Sequence, residues 1–171
     1  MADSSVSQAD DAPDLGPHEH ALREAMTIGL YLSIVLLALL VGVGANETIQ
    51  HQIQLIWGTS VGLGIAHLFA YRMTAVFAAG GKLTSEDWYS VGGMVAATVI
   101  IAGIATIPYL LLDDALDAST AAMVLLLGVI AITAWATAKR SGLSPAKTAG
   151  YTALVVFLAA VVVAVKYTLT H

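Results

Sequence analysis

Residues 25–43 read AMTIGLYLSIVLLALLVGV, a run without a charged side chain. A helix of about 20 apolar residues spans the roughly 30 Å hydrocarbon core of a bilayer. Because no water is present there to bond backbone groups, a single spanning segment of this kind adopts a helix. The run therefore predicts a transmembrane helix.

Four further runs have the same character, and the chain as a whole is 58% apolar and 11% charged. A water-soluble domain carries about 25% charged residues. We therefore expect an all-α integral membrane protein, a five-transmembrane-helix bundle. The predicted spans are about 25–43, 53–73, 88–112, 119–138 and 149–168.

The two ends of the chain differ in character. Residues 1–20 are acidic and rich in Ser and Ala, so they cannot bury an apolar face, and we expect a disordered tail. Residues 21–171 then form a single membrane domain.

Basic residues are distributed unevenly between the connecting segments. Six of the seven Lys and Arg residues fall in alternate segments, and they are Arg23, Arg72, Lys82, Lys139, Arg140 and Lys147. Only Lys166 falls on the other side. By the positive-inside rule, the N-terminus is cytoplasmic and the C-terminus lies outside. The expected location is the cell (cytoplasmic) membrane, as a multi-pass protein.

Several classes of function find no support in the sequence. The chain has no cysteine, which excludes disulfides and thiol chemistry. No predicted span contains Asp or Glu, and no phosphate-binding or nucleophile motif is present. No basic patch indicates nucleic-acid binding. We therefore expect no enzymatic activity, no cofactor and no metal site, and we expect the lipid bilayer to be a partner.

The second predicted helix carries small residues at every fourth position, namely Gly58, Gly62, Ala66 and Ala70. Such a stripe lets another helix backbone approach closely, which favours helix association in lipid. We interpret it as a helix-packing seam within the bundle. The alternative is an interface with a second copy or with another membrane protein.

A different face of the same helix is polar and carries Ser60, His67 and Tyr71, and Arg72 closes the helix. Together these four residues are the candidate binding site. His67 is the only ionisable residue well inside a predicted span, and such residues are candidates for function. Its simpler role is structural: a neutral His67 hydrogen-bonded to Tyr71, Ser60 or a facing Thr would fix helix packing.

Two functions follow from these observations. We favour a small, non-enzymatic accessory or interaction subunit, because the loops are short and no charged relay is present. The alternative is a small transporter or channel with an inward-facing polar site around His67, in which Thr98, Thr106, Thr133 and Thr137 would supply further hydroxyls.

Overall fold

The computed structural model describes residues 17–43, 47–79 and 85–170. Within these ranges the chain forms five helices and no strand: α1 Pro17–Gly42, α2 Ile49–Ala79, α3 Ser85–Leu111, α4 Ala115–Arg140 and α5 Pro145–Thr170. Each helix is long and apolar enough to cross a membrane. The predicted fold class is confirmed to this extent.

The predicted spans lie inside the observed helices or end within one residue of them, and the helices extend further. The first helix begins at Pro17 rather than near residue 25, so the last residues assigned to the tail are helical. Residues 1–16 lie outside the described ranges. The second helix continues to Ala79 rather than 73. Hydropathy identifies the part of a helix that lies in the hydrocarbon core of the bilayer. The helix itself extends beyond that part, as far as its backbone hydrogen bonds are formed.

The connections from α3 to α4 and from α4 to α5 are short, at residues 112–114 and 141–144. Asp114 caps the start of α4, because its Oδ1 accepts hydrogen bonds from the amides of Leu116 and Asp117 at 2.9 and 3.0 Å. At the other end of α4, Gly142 has a φ of +69°, a conformation that favours glycine and ends helices. Pro145 is the first residue of α5, as its preference for the first helical turn predicts.

The centre of the bundle is formed by α1, α3 and α4, which all contact one another. The fifth helix packs on α4 and α1, and α2 packs mainly on α3. The first helix contacts every other helix, and its side chains Leu36, Leu37 and Leu40 are at most 2% exposed.

The core is apolar and closely packed. Six of the seven buried residues of α4 recur at every fourth position, and the seventh is Ser119; the six are Ala118, Ala122, Leu126, Ile130, Ala134 and Ala138. Small residues at this spacing allow close approach of neighbouring helices. The bundle therefore uses a seam on α4 for its own packing.

Candidate functional site

The polar face of α2 turns toward the bundle, but its four candidate residues do not converge. Ser60 is fully buried, and its hydroxyl donates to the Ile56 carbonyl at 2.7 Å. His67 and Tyr71 are half-buried, and Arg72 is exposed. Ser60 lies about 10 Å along the helix from His67, at 1.5 Å per residue.

His67 lies beside a very small cavity between α1, α2 and α3. The cavity measures about 10 Å³, and Tyr31, Gly64 and Thr98 are among its lining residues. A single water molecule requires about 10–15 Å³ on this measure. No hydrogen bond joins the His67 ring to another residue of the described ranges. Of the partners that we expected for His67, namely Tyr71, Ser60 or a facing Thr, none bonds to its ring within the described ranges, and the cavity is too small for a small-molecule ligand.

Three of the four threonine hydroxyls that a polar pathway would use bond to the backbone of their own helices, whereas the hydroxyl of Thr133 makes no hydrogen bond to another described residue. Thr98 donates to the Met94 carbonyl at 2.9 Å, and Thr106 donates to the Ala102 carbonyl at 2.7 Å. Thr137 does the same with the Thr133 carbonyl at 2.8 Å. Hydroxyls that are satisfied in this way stay in an apolar environment at little cost, so their presence alone does not indicate a pathway.

The small-residue seam of α2 faces away from the bundle. Gly58, Gly62, Ala66 and Ala70 are all exposed. A Cβ atom added to Gly58 or to Gly62 would meet nothing within 4 Å. The packing within the bundle that we predicted for this stripe is therefore wrong. Periodicity identifies the residues that share a face, but in lipid an apolar face can turn either toward other helices or toward the acyl chains, so periodicity does not identify which face turns inward.

A larger groove, which we did not predict, lies between α1, α4 and α5. Its volume is about 530 Å³, and it is lined by Arg23, Met26, Thr27, Leu30, Thr133, Ala134, Thr137, Arg140, Ser141, Tyr151 and Val155. The start of α1, the end of α4 and the start of α5 meet here. We call it the arginine groove and call this end of the bundle the basic end.

The charge around the arginine groove is positive. Arg23 and Arg140 are exposed, and neither forms an ion pair with an acidic side chain of the described residues. Lys139 and Lys147 are exposed nearby in the chain without lining the groove. The His51 imidazole lies 3.7 Å from the Glu47 carboxylate, a contact close to the start of α2 and so at the opposite end.

Acidic and imidazole side chains do not gather at any point of the structure. In residues 17–43, 47–79 and 85–170, no group of three or more His, Asp or Glu side chains is placed to hold a metal ion. Three features of the described structure are therefore candidates for a functional role: the arginine groove, the polar face of α2 and the outer face of α2.

The comparisons with known proteins add no further constraint. No known protein family, curated protein or solved structure matches this chain.

Proposed function

We propose that this protein is a non-enzymatic, multi-pass interaction subunit of the cytoplasmic membrane that associates with another transmembrane helix through the outer face of α2. The observation that carries the proposal is the exposed stripe of Gly58, Gly62, Ala66 and Ala70. The packing of the chain itself gives the two glycines no role, since no atom lies near the position of an added Cβ.

Glycine at these two positions has a cost. In the interior of a helix, glycine is less favourable than alanine by about 1 kcal/mol. A Gly-x-x-x-Gly spacing offsets this cost when a second helix packs against it, because the backbones approach closely and gain van der Waals contact. In a bilayer, where apolar side chains gain nothing by leaving lipid, this contact is a main source of helix association.

Large apolar side chains border the stripe and complete the contact surface. Val61, Ile65 and Phe69 are 50%, 63% and 66% exposed. They form a ridge beside the flat stripe, and a ridge of one helix packs into the groove of another. A second copy of the chain supplies a matching surface, because two copies of one face meet about a twofold axis.

The interior of the bundle favours this function over transport. The cavity at His67 holds at most about one water molecule. The central side chains Leu36, Leu126 and Ile130 are fully buried, and no acidic side chain lies among the buried residues of the described ranges. A transported ion needs polar groups along its path, and the buried hydroxyls of Ser33, Ser60 and Thr106 are already bonded to the backbone of their own helices.

The orientation forms part of the proposal. Arg23 and Arg140 lie at the basic end. We infer that Arg72, near the end of α2, belongs to the same end, because successive membrane-spanning helices cross the bilayer in opposite directions. Lys82 lies outside the described residues. By the positive-inside rule, we assign the basic end to the cytoplasm.

Disulfide cross-linking in membranes tests the proposed interface. The chain has no cysteine, so each introduced thiol is unique. Gly62→Cys is expected to form an oxidised dimer well above the yield of Val124→Cys, an exposed position on α4 that is 62% exposed. Adding Ala66→Leu to Gly62→Cys should lower the yield to the control level. Equal yields at the two positions would argue against self-association through α2.

A further inference from the structure

The arginine groove has the charge of an anion site. Arg23 comes from α1 and Arg140 from α4, and both side chains line the groove. Guanidinium groups stay protonated at any physiological pH and present N–H donors in a planar fork that matches phosphate oxygens. Glu24, the acidic residue next to Arg23, does not line the groove, and no described carboxylate pairs with either arginine.

Five hydroxyl-bearing residues line the arginine groove, but most of these hydroxyls are not available as donors to a bound anion. Thr27 donates to the Arg23 carbonyl at 2.9 Å, and Ser141 donates to the Thr137 carbonyl at 3.0 Å. These hydrogens are therefore engaged with the backbone. The Tyr151 hydroxyl makes no hydrogen bond to another described side chain or carbonyl. The Thr137 hydroxyl is also engaged with the backbone, since it donates to the Thr133 carbonyl, whereas the Thr133 hydroxyl makes no hydrogen bond to another described residue. The donors available to an anion are thus the two guanidinium groups and the hydroxyls of Thr133 and Tyr151.

The floor of the groove is apolar. Ala134 is 3% exposed, and Met26, Leu30 and Val155 are half-buried around it. Leu30 lies one helical turn beyond Met26, and Val155 lies one turn beyond Tyr151, both toward the middle of the bundle. The groove is therefore charged at the basic end and becomes apolar toward the membrane centre.

A groove that is charged at one end and apolar at the other matches the chemistry of a phospholipid, which has a charged headgroup and apolar acyl chains. We propose that the arginine groove binds a phosphate group between Arg23 and Arg140, and that the source of the phosphate is the headgroup of an anionic phospholipid whose acyl chain lies along Met26 and Leu30. Basic pockets between transmembrane helices on the cytoplasmic side bind such headgroups. The groove volume of about 530 Å³ lies within the usual range of ligand sites, about 300–1,000 Å³.

A second groove shows that the charge is not a general property of the bundle surface. It lies between α1, α3 and α4, measures about 440 Å³, and has no charged residue in its lining. Gly29, Gly93 and Ala97 form part of its wall. A groove of this kind takes a hydrocarbon chain without selecting a headgroup, whereas the arginine groove selects for negative charge.

Native mass spectrometry of the purified, full-length protein in a neutral detergent tests the proposal. The probes are phosphatidylglycerol, phosphatidylcholine and inorganic phosphate, each titrated separately. We expect one tightly held phosphatidylglycerol, and weakening by about tenfold in Arg23→Gln and in Arg140→Gln, the usual scale for one charge-assisted hydrogen-bonding group. Lys139→Gln removes the same charge at the same end without touching the groove, so it should bind as the wild type does.

The thermal midpoint of unfolding separates the two sources of phosphate. Phosphatidylglycerol should raise the midpoint of the wild type and of Lys139→Gln, and should leave that of the two arginine variants unchanged. If inorganic phosphate, but not phosphatidylglycerol, raised the midpoint, and if this effect required both arginines, the phosphate site would stand. Its ligand would then be a soluble phosphate and not a lipid. Equal retention of phosphatidylcholine and phosphatidylglycerol, or equal weakening by Lys139→Gln, would overturn the proposal.

Discussion

Gly64 of α2 and Thr98 of α3 mark a close approach of these two helices. A Cβ atom at Gly64 would lie 3.4 Å from Cγ2 and 3.6 Å from Oγ1 of Thr98. An alanine fits there in ordinary van der Waals contact, but a larger side chain does not. This contact holds the inner face of α2 against the bundle and thereby leaves the outer face available.

Leucine at position 64 should therefore weaken the fold. We expect Gly64→Leu to lower the free energy of unfolding by about 1–3 kcal/mol, the usual cost of overpacking, as measured by denaturation in detergent. Gly58→Leu is the matched control, since its Cβ meets nothing within 4 Å. It should leave the stability unchanged or raise it slightly. Equal losses in the two variants would show that both glycines pack inside the bundle.

The cap of α4 can be tested with two neighbouring acids. Asp114 accepts hydrogen bonds from the Leu116 and Asp117 amides, so Asp114→Ala should destabilise the protein by about 1 kcal/mol. Asp113 is exposed and does not form these bonds, and Asp113→Ala should have little effect. Thermal unfolding followed by circular dichroism gives both values. A larger loss in the Asp113 variant would contradict the observed cap.

The proposed interaction subunit is expected to show no transport activity. Liposomes containing the protein should show no pH-dependent flux of protons or small ions above that of protein-free liposomes, because the cavity beside His67 measures about 10 Å³. His67→Ala should not change the flux. A flux that disappears in His67→Ala would instead favour the transporter.

The proposed orientation predicts which end of the bundle reacts from outside. Single cysteines at Leu143, at the basic end, and at Asp113, at the opposite end, introduce unique thiols. A membrane-impermeant maleimide applied to intact cells should label Asp113→Cys, and should label Leu143→Cys only after the membrane is opened. The reverse pattern would place the basic end outside.

The fold could be predicted from the sequence further than the site could. Runs such as residues 25–43 indicate a membrane span by length and hydropathy alone, and Pro145 marks the start of α5 directly. The inward face of α2 could not be predicted, since in lipid both faces of a helix are apolar and the contrast that orients a soluble helix is absent. The alanine stripe of α4 has the same spacing as the stripe of α2, yet one packs inside the bundle and the other faces out.

The arginine groove could not be predicted from the sequence, for a different reason. Arg23, Arg140 and Tyr151 come from three helices, and each of them alone looks like an ordinary residue at a membrane interface. Only the packing of α1, α4 and α5 brings them together. The one relevant signal was the excess of basic residues at alternate helix ends, which predicts an orientation but not a site.

Photo-cross-linking in native membranes tests the central claim of an α2 interface most directly. A photoreactive amino acid replaces Ile65 on the outer face of α2, and in the control it replaces Leu154, which is 54% exposed on α5. We predict a discrete protein adduct from position 65, either with a second copy or with another membrane protein, and only lipid adducts from position 154. Lipid adducts alone at position 65, or the same protein adduct from both positions, would contradict the claim.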